Sequence, residues 1–94
     1  MRLSNTEVNT IKTAVFELDL HAHIFLFGSR VDDSKRGGDI DLLIESKKLT
    51  KQDLRIIRRQ FYAKFGEQKM DLVIDNGSDN QAFINMIKPK AVQL

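Results

Sequence analysis

At 94 residues, with 41% hydrophobic and 30% charged side chains, the chain has the composition of one small globular domain. It contains no cysteine, which excludes disulfides, thiolate metal sites and a thiol nucleophile. The formal net charge of +2 is too small to mark a nucleic-acid binder, and no apolar run reaches the roughly 18 residues of a membrane span.

The start, Met1-Arg2-Leu3-Ser4, turns polar at once and lacks the apolar segment of a signal peptide, so a cytoplasmic location is expected. Ser4-Asn5-Thr6-Glu7 has the form of a capping box. Val8, Ile11, Val15 and Leu18 follow as one helical stripe, predicting a helix over about 5–18 with a wet side carrying Asn9, Lys12 and Glu17. The run from His23 to Phe27, stopped by Gly28, reads as a strand. A polar loop closes on Gly37-Gly38, and Asp39 to Glu45 reads as a second strand. So short a loop predicts antiparallel neighbours, because a parallel crossover needs a dozen residues or more.

Thr50 stands at an N-cap with Asp53 in the first turn. Leu54, Ile57, Phe61 and Phe65 then trace a second helix, which Gly66 ends. Met70 to Asp75 reads as a third strand stopped by Asn76-Gly77. A short helix over about 80–87 is ended by Pro89, and the tail from Ala91 to Leu94 either docks or frays. The order α-β-β-α-β-α predicts an α+β fold, a small α/β sandwich, as a single domain over residues 1–94 with its core at about 5–87.

Strand residues two apart share a face, so Asp39 and Asp41 project together while Ile40 and Leu42 enter the core. Two carboxylates held about 6–7 Å apart repel unless a cation joins them, and oxygen ligands suit Mg²⁺ or Mn²⁺; a solvated strand edge is the plainer alternative. Asp71 opens the third strand among apolar neighbours and completes a carboxylate triad if that strand lies beside the second. Asp75 lies on the same face farther along and reads as structural. Gly28 lets backbone N–H groups approach phosphate oxygens, Ser29 adds a hydroxyl donor, and Arg30 either neutralises phosphate or pairs with a loop acid.

Phe25-Leu26-Phe27-Gly28-Ser29-Arg30, then Asp39-Ile40-Asp41-Leu42-Leu43-Ile44, resembles the signature of the DNA polymerase β-like nucleotidyltransferase superfamily. In size the chain is similar to the minimal nucleotidyltransferases (MNT), often paired with all-helical HEPN partners in toxin–antitoxin modules. The resemblance implies a polymerase β-like palm and a triphosphate held by Gly28 and Ser29, with Arg30 as a further phosphate ligand. It also implies two Mg²⁺ ions on the catalytic residues Asp39, Asp41 and Asp71, with Mn²⁺ as a substitute. The implied reaction moves AMP from ATP to a hydroxyl of a partner protein, as an adenylyltransferase antitoxin of type VII-like HEPN/MNT kind. The alternative is a binding module that neutralises a helical toxin by masking it.

Few residues remain after the palm-like core, so the acceptor is expected on a HEPN-type helical partner or across a homo-oligomer. Nucleic acid is not the expected substrate. From Lys47 to Lys69, however, eight basic residues face two acids, and Arg55, Arg58 and Arg59 cluster on one helix side. That side reads as a solvated face or, alternatively, as a patch for nucleic acid or an acidic protein. His21 and His23 read as capping or edge residues, Asp32 and Asp33 as solvated loop acids, and Tyr62 as core. Lys35 and Arg36 read as surface residues or as triphosphate contacts.

Overall fold

The computed structural model describes residues 1–34 and 38–94, so Lys35, Arg36 and Gly37 lie outside the described residues. Helix α1 (Asn5–Leu18) begins at the expected capping box. Ser4 Oγ accepts from the Glu7 N–H at 3.1 Å, and Glu7 Oε1 accepts from the Ser4 N–H at 2.9 Å. Helix α2 (Lys51–Phe65) starts on the same reciprocal device, with Asp53 in the acid position. The Thr50 N–H donates to Asp53 Oδ2 at 2.8 Å, and the Asp53 N–H donates to Thr50 Oγ1 at 3.4 Å. Gly66 ends α2, its N–H bonded to Tyr62 O at 2.8 Å.

Strands β1 (His23–Phe27), β2 (Ile40–Glu45), β3 (Met70–Asp75) and β4 (Val92–Gln93) form one mixed sheet in the order β3-β2-β1-β4. β1 and β2 are antiparallel, as the short loop requires, whereas β2 and β3 are parallel with α2 as the crossover. The tail docks. Val92 and Gln93 pair antiparallel with β1, and the Leu94 N–H reaches Ile24 O at 2.9 Å. β2 starts at Ile40, so Asp39 precedes the strand it was expected to open.

Alternation divides the sheet into two faces. Ile24, Leu26, Ile40, Leu42, Ile44, Met70 and Leu72 are buried in one core with Ile11 and Val15 of α1 and Leu54, Ile57 and Phe61 of α2. The other face carries Phe25 and Phe27 of β1, Asp41 and Leu43 of β2, and Asp71 and Val73 of β3. Helix α3 (Gln81–Ile87) belongs to this side: Phe83 meets Phe27 edge-on at 6.1 Å, and both Ile84 and Leu43 are buried. Lys88 pairs with Glu45 and lies 5.7 Å from the centre of the Phe25 ring. A small α+β fold with three helices and a four-stranded mixed sheet results, consistent with a polymerase β-like palm. Among the described residues, no helix is long and apolar enough to cross a membrane.

One polar pair lies within this apolar frame. Asp19 follows the C-terminus of α1, the wrong end of the helix dipole for an acid, yet it is buried. Ser46 Oγ–H donates to Asp19 Oδ2 at 2.6 Å, and the His21 N–H donates to Asp19 Oδ1 at 3.0 Å. Ser46 Oγ in turn accepts from the N–H groups of Lys48 and Leu49, both at 3.1 Å. The serine thus ties the end of α1 to the turn that launches α2.

The Ser46 hydrogen bond holds the Asp19 carboxyl below its ordinary range, against the opposing effect of burial. Stability from this depressed acid is present above the unfolded value, about 3.9, and is lost as pH falls through the folded one. Ser46→Ala is therefore expected to cost about 1–3 kcal/mol at pH 7, because it strands buried partners. The cost should shrink at pH 3, as urea melts at the two pH values would show. An equal cost at both would break the link to the Asp19 charge.

Candidate active site

The backbone ladder sets the acids in two rungs. Ile40 pairs with Met70 and Asp41 with Asp71, so the two aspartates stand side by side on adjacent parallel strands. One step back, the Ile40 N–H donates to Lys69 O at 3.2 Å, and the Asp39 carboxylate lies 3.5 Å from Lys69 Nζ. Asp41 and Asp71 form a doubly negative rung, while Asp39 forms an ion pair with a lysine.

Gly28 closes over this acid pair. It pairs with no strand residue but opens a 3-10 turn over Gly28–Val31 at the end of β1. Its φ of +77° is left-handed, and a Cβ there would collide with Asp41 Oδ2. Only glycine lets the turn sit directly on the carboxylate. Ser29 follows, half-buried, and a Cβ on Gly38 would strike its Oγ.

Arg30 and Arg2 brace that turn. The Arg30 guanidinium donates to Gly38 O at 3.3 Å and to Arg2 O at 2.9 Å. Arg2 donates from Nη2 to Ser29 O at 3.1 Å and from Nε to Asp32 O at 3.2 Å, while its backbone N–H reaches Arg30 O at 2.8 Å. Carbonyls of a short turn have few helical partners, and the guanidinium and backbone N–H of Arg2 supply donors to them, while Arg30 ties the turn to Gly38 and to Arg2 itself. Nothing in the sequence marks Arg2 for this role, because its partners lie at least 27 residues away.

Burial pushes the Asp41 carboxyl up to about 6; the hydrogen bond and charge of Asp71 and the charge of Asp39 act the same way, and Lys69 opposes them. Such a pair lacks positive charge, and its all-oxygen donors match a hard divalent cation. Asp41 and Asp71 therefore fit Mg²⁺ or Mn²⁺, with Asp39 adjacent. The described residues nonetheless contain no group of three or more His, Cys, Asp or Glu side chains arranged to hold a metal ion.

The family model described as a nucleotidyltransferase domain matches residues 8–92. The chain belongs to the nucleotidyltransferase domain family. A search of curated proteins gave no match.

The matched span takes in both rungs and the Gly28 turn of this nucleotidyltransferase domain. Asp75, expected to be structural, accepts from the Gly77 N–H at 3.0 Å and from Gln81 Nε2 at 3.1 Å. His23 is an edge residue whose Nδ1 lies 3.3 Å from Gln93 Nε2, and Tyr62 packs against the core. Arg58 donates from Nε to Met70 O at 3.2 Å, pinning β3 one residue before Asp71.

Two cavities flank the strands. One of about 420 Å³ is lined by Phe27, Gly28, Val31, Asp32, Met86, Ile87 and Lys90 and opens beside the Gly28 turn. A larger one, about 570 Å³, lies at the opposite strand ends against Asp19, Glu45 and Asp75. Those carboxylates already have partners in Ser46, Lys88 and the Asn76–Gln81 turn, so this second cavity is not the acid site.

Proposed function

We propose that this nucleotidyltransferase transfers AMP from ATP to a hydroxyl of a partner protein, in a reaction that depends on Mg²⁺. The acceptor oxygen forms a bond to the α-phosphorus as the bond to the β-phosphate oxygen breaks. Pyrophosphate departs, and the hydroxyl proton is lost to solvent or to Asp71. One observation carries the reading: Asp41 stands in register with Asp71 directly beneath the glycine turn. Asp41 and Asp71 would hold the divalent ions, with Asp39 joining them. When bound, two such ions stabilise both the entering and the leaving oxygen of an in-line displacement.

The backbone of Gly28 and the hydroxyl of Ser29 would receive the triphosphate, while Arg30 and Arg2 hold their turn in shape. The cavity beside Gly28, where apolar side chains meet Asp32 and Lys90, falls within the size range of small-molecule sites and would take the nucleoside. Asp71 is exposed, so an acceptor hydroxyl can approach from another molecule. The fitting context is an antitoxin of HEPN/MNT type that modifies a helical toxin. Co-expression with the helical product of a neighbouring reading frame, followed by intact-mass measurement of that partner, tests this. An added AMP is expected, and an unmodified but tightly bound partner contradicts it.

The pairing of Asp39 with Lys69 favours a second reading, neutralisation by masking without transfer. Growth rescue separates the two. The Asp39→Asn, Asp41→Asn double variant, at equal protein level, fails to rescue under the catalytic reading and rescues fully under masking.

A further inference from the structure

Lys69 and Asp71 are two residues apart where β3 begins, and Asp39 and Asp41 are two apart where β2 begins. The parallel register places Asp41 beside Asp71 in a doubly negative rung, and the side-chain contact of Asp39 with Lys69 sets a neutral pair just before it. Three carboxylates and one ammonium carry a formal charge of −2, and the ammonium is spent on the one acid that stays out of the pair. The contact is long, 3.5 Å, and both side chains are open to water, 70% and 43% exposed. Exposed pairs of this kind are weak and easily displaced. Lys69 therefore holds Asp39 loosely enough to release it to a stronger cation.

We infer that Lys69 is an internal counter-cation that withholds Asp39 from the acid pair and gives it up when a divalent ion enters. Lys69 is thus a positioning residue that sets how tightly the site takes metal. The inference rests on the metal site proposed above, and its test separates the two. Mn²⁺ alone is titrated into the metal-free chain by calorimetry, for the parent, Lys69→Met, Asp39→Asn and the double variant. Lys47→Met, which removes one exposed charge at the far strand end, controls for net charge.

Lys69→Met is expected to tighten Mn²⁺ three- to tenfold, while Lys47→Met leaves it within twofold. In the Asp39→Asn background the gain from Lys69→Met should fall by at least half, because no third carboxylate remains to be released. Unchanged or weaker binding by Lys69→Met overturns the inference. A gain of the same size with and without Asp39 also overturns it, reducing Lys69 to a diffuse field. If the parent binds no Mn²⁺, or Asp41→Asn binds it as well as the parent, the metal site itself fails. If Asp41→Asn abolishes binding but Lys69→Met does not tighten it, only the counter-cation role is lost.

Discussion

Asp41→Asn is expected to abolish nucleotidyl transfer while raising the thermal stability of the metal-free protein. The two effects have one cause. Asp41 is crowded by Asp71, with Asp39 nearby, and its carboxyl is pushed up to about 6, chiefly by burial. Ionising it therefore costs the folded state free energy that the unfolded chain does not lose. That cost is absent below about pH 4, where both states are protonated. It grows between about 4 and about 6, and is complete above about 6.

Asparagine carries no charge, and its amide can still donate to Asp71. Water screens a half-buried carboxyl, so the expected gain is about 1 kcal/mol above pH 6, or about 4–8 °C in Tm. It should fade towards pH 4. Mg²⁺ should then raise the Tm of the parent by mass action and leave the variant unmoved. A variant less stable than the parent at pH 7.5 would mean that Asp41 is held by favourable contacts rather than strained by its neighbours.

Gly28→Ala is expected to lower kcat/KM about 100-fold and to cost about 1–3 kcal/mol of stability. Alanine strains the left-handed φ of +77°, and its methyl needs the space of Asp41 Oδ2. Either the carboxylate turns away from Asp71 or the turn lifts from the acid pair. A displacement near 1 Å at a reacting centre accounts for a loss of that size. Gly66→Ala is the matched control. Its φ of +85° is equally left-handed, but nothing lies within 4 Å of the added methyl. It should lose comparable backbone stability and retain activity. Equal activity losses in the two variants would assign the effect to folding rather than to the site.

Much of the fold was legible in the sequence because local signals agree with the packing. The capping box at Ser4 and the 3-4-3 apolar stripe set α1 at 5–18, where it is observed. Met70 and Asp75 bound β3 as their apolar run predicts, and the short loop after β1 forces the antiparallel pair. β4 was not legible, since two residues carry no period and their pairing depends on an edge built 70 residues earlier.

In the site, the spacing of Asp39, Asp41 and Asp71 and the turn at Gly28 were readable, because alternation fixes which side chains share a face. Their partners were not. Lys69 on Asp39, Arg30 on Gly38 O and Arg2 on Ser29 O depend on long-range register, and a spacing rule cannot reveal them. Asp19 did leave one trace, an acid at the wrong end of a helix, which already implies a buried donor such as Ser46.

The central claim is that Asp41 and Asp71, beneath Gly28, support nucleotidyl rather than phosphoryl transfer. Its most direct test compares ATP labelled at the α-phosphate with ATP labelled at the γ-phosphate, using the chain, Mg²⁺ and the helical partner proposed for it. The account predicts that α-label reaches a partner hydroxyl, γ-label leaves as pyrophosphate, and Asp41→Asn transfers neither. Label arriving from the γ-position, or undiminished α-transfer by Asp41→Asn, would contradict it.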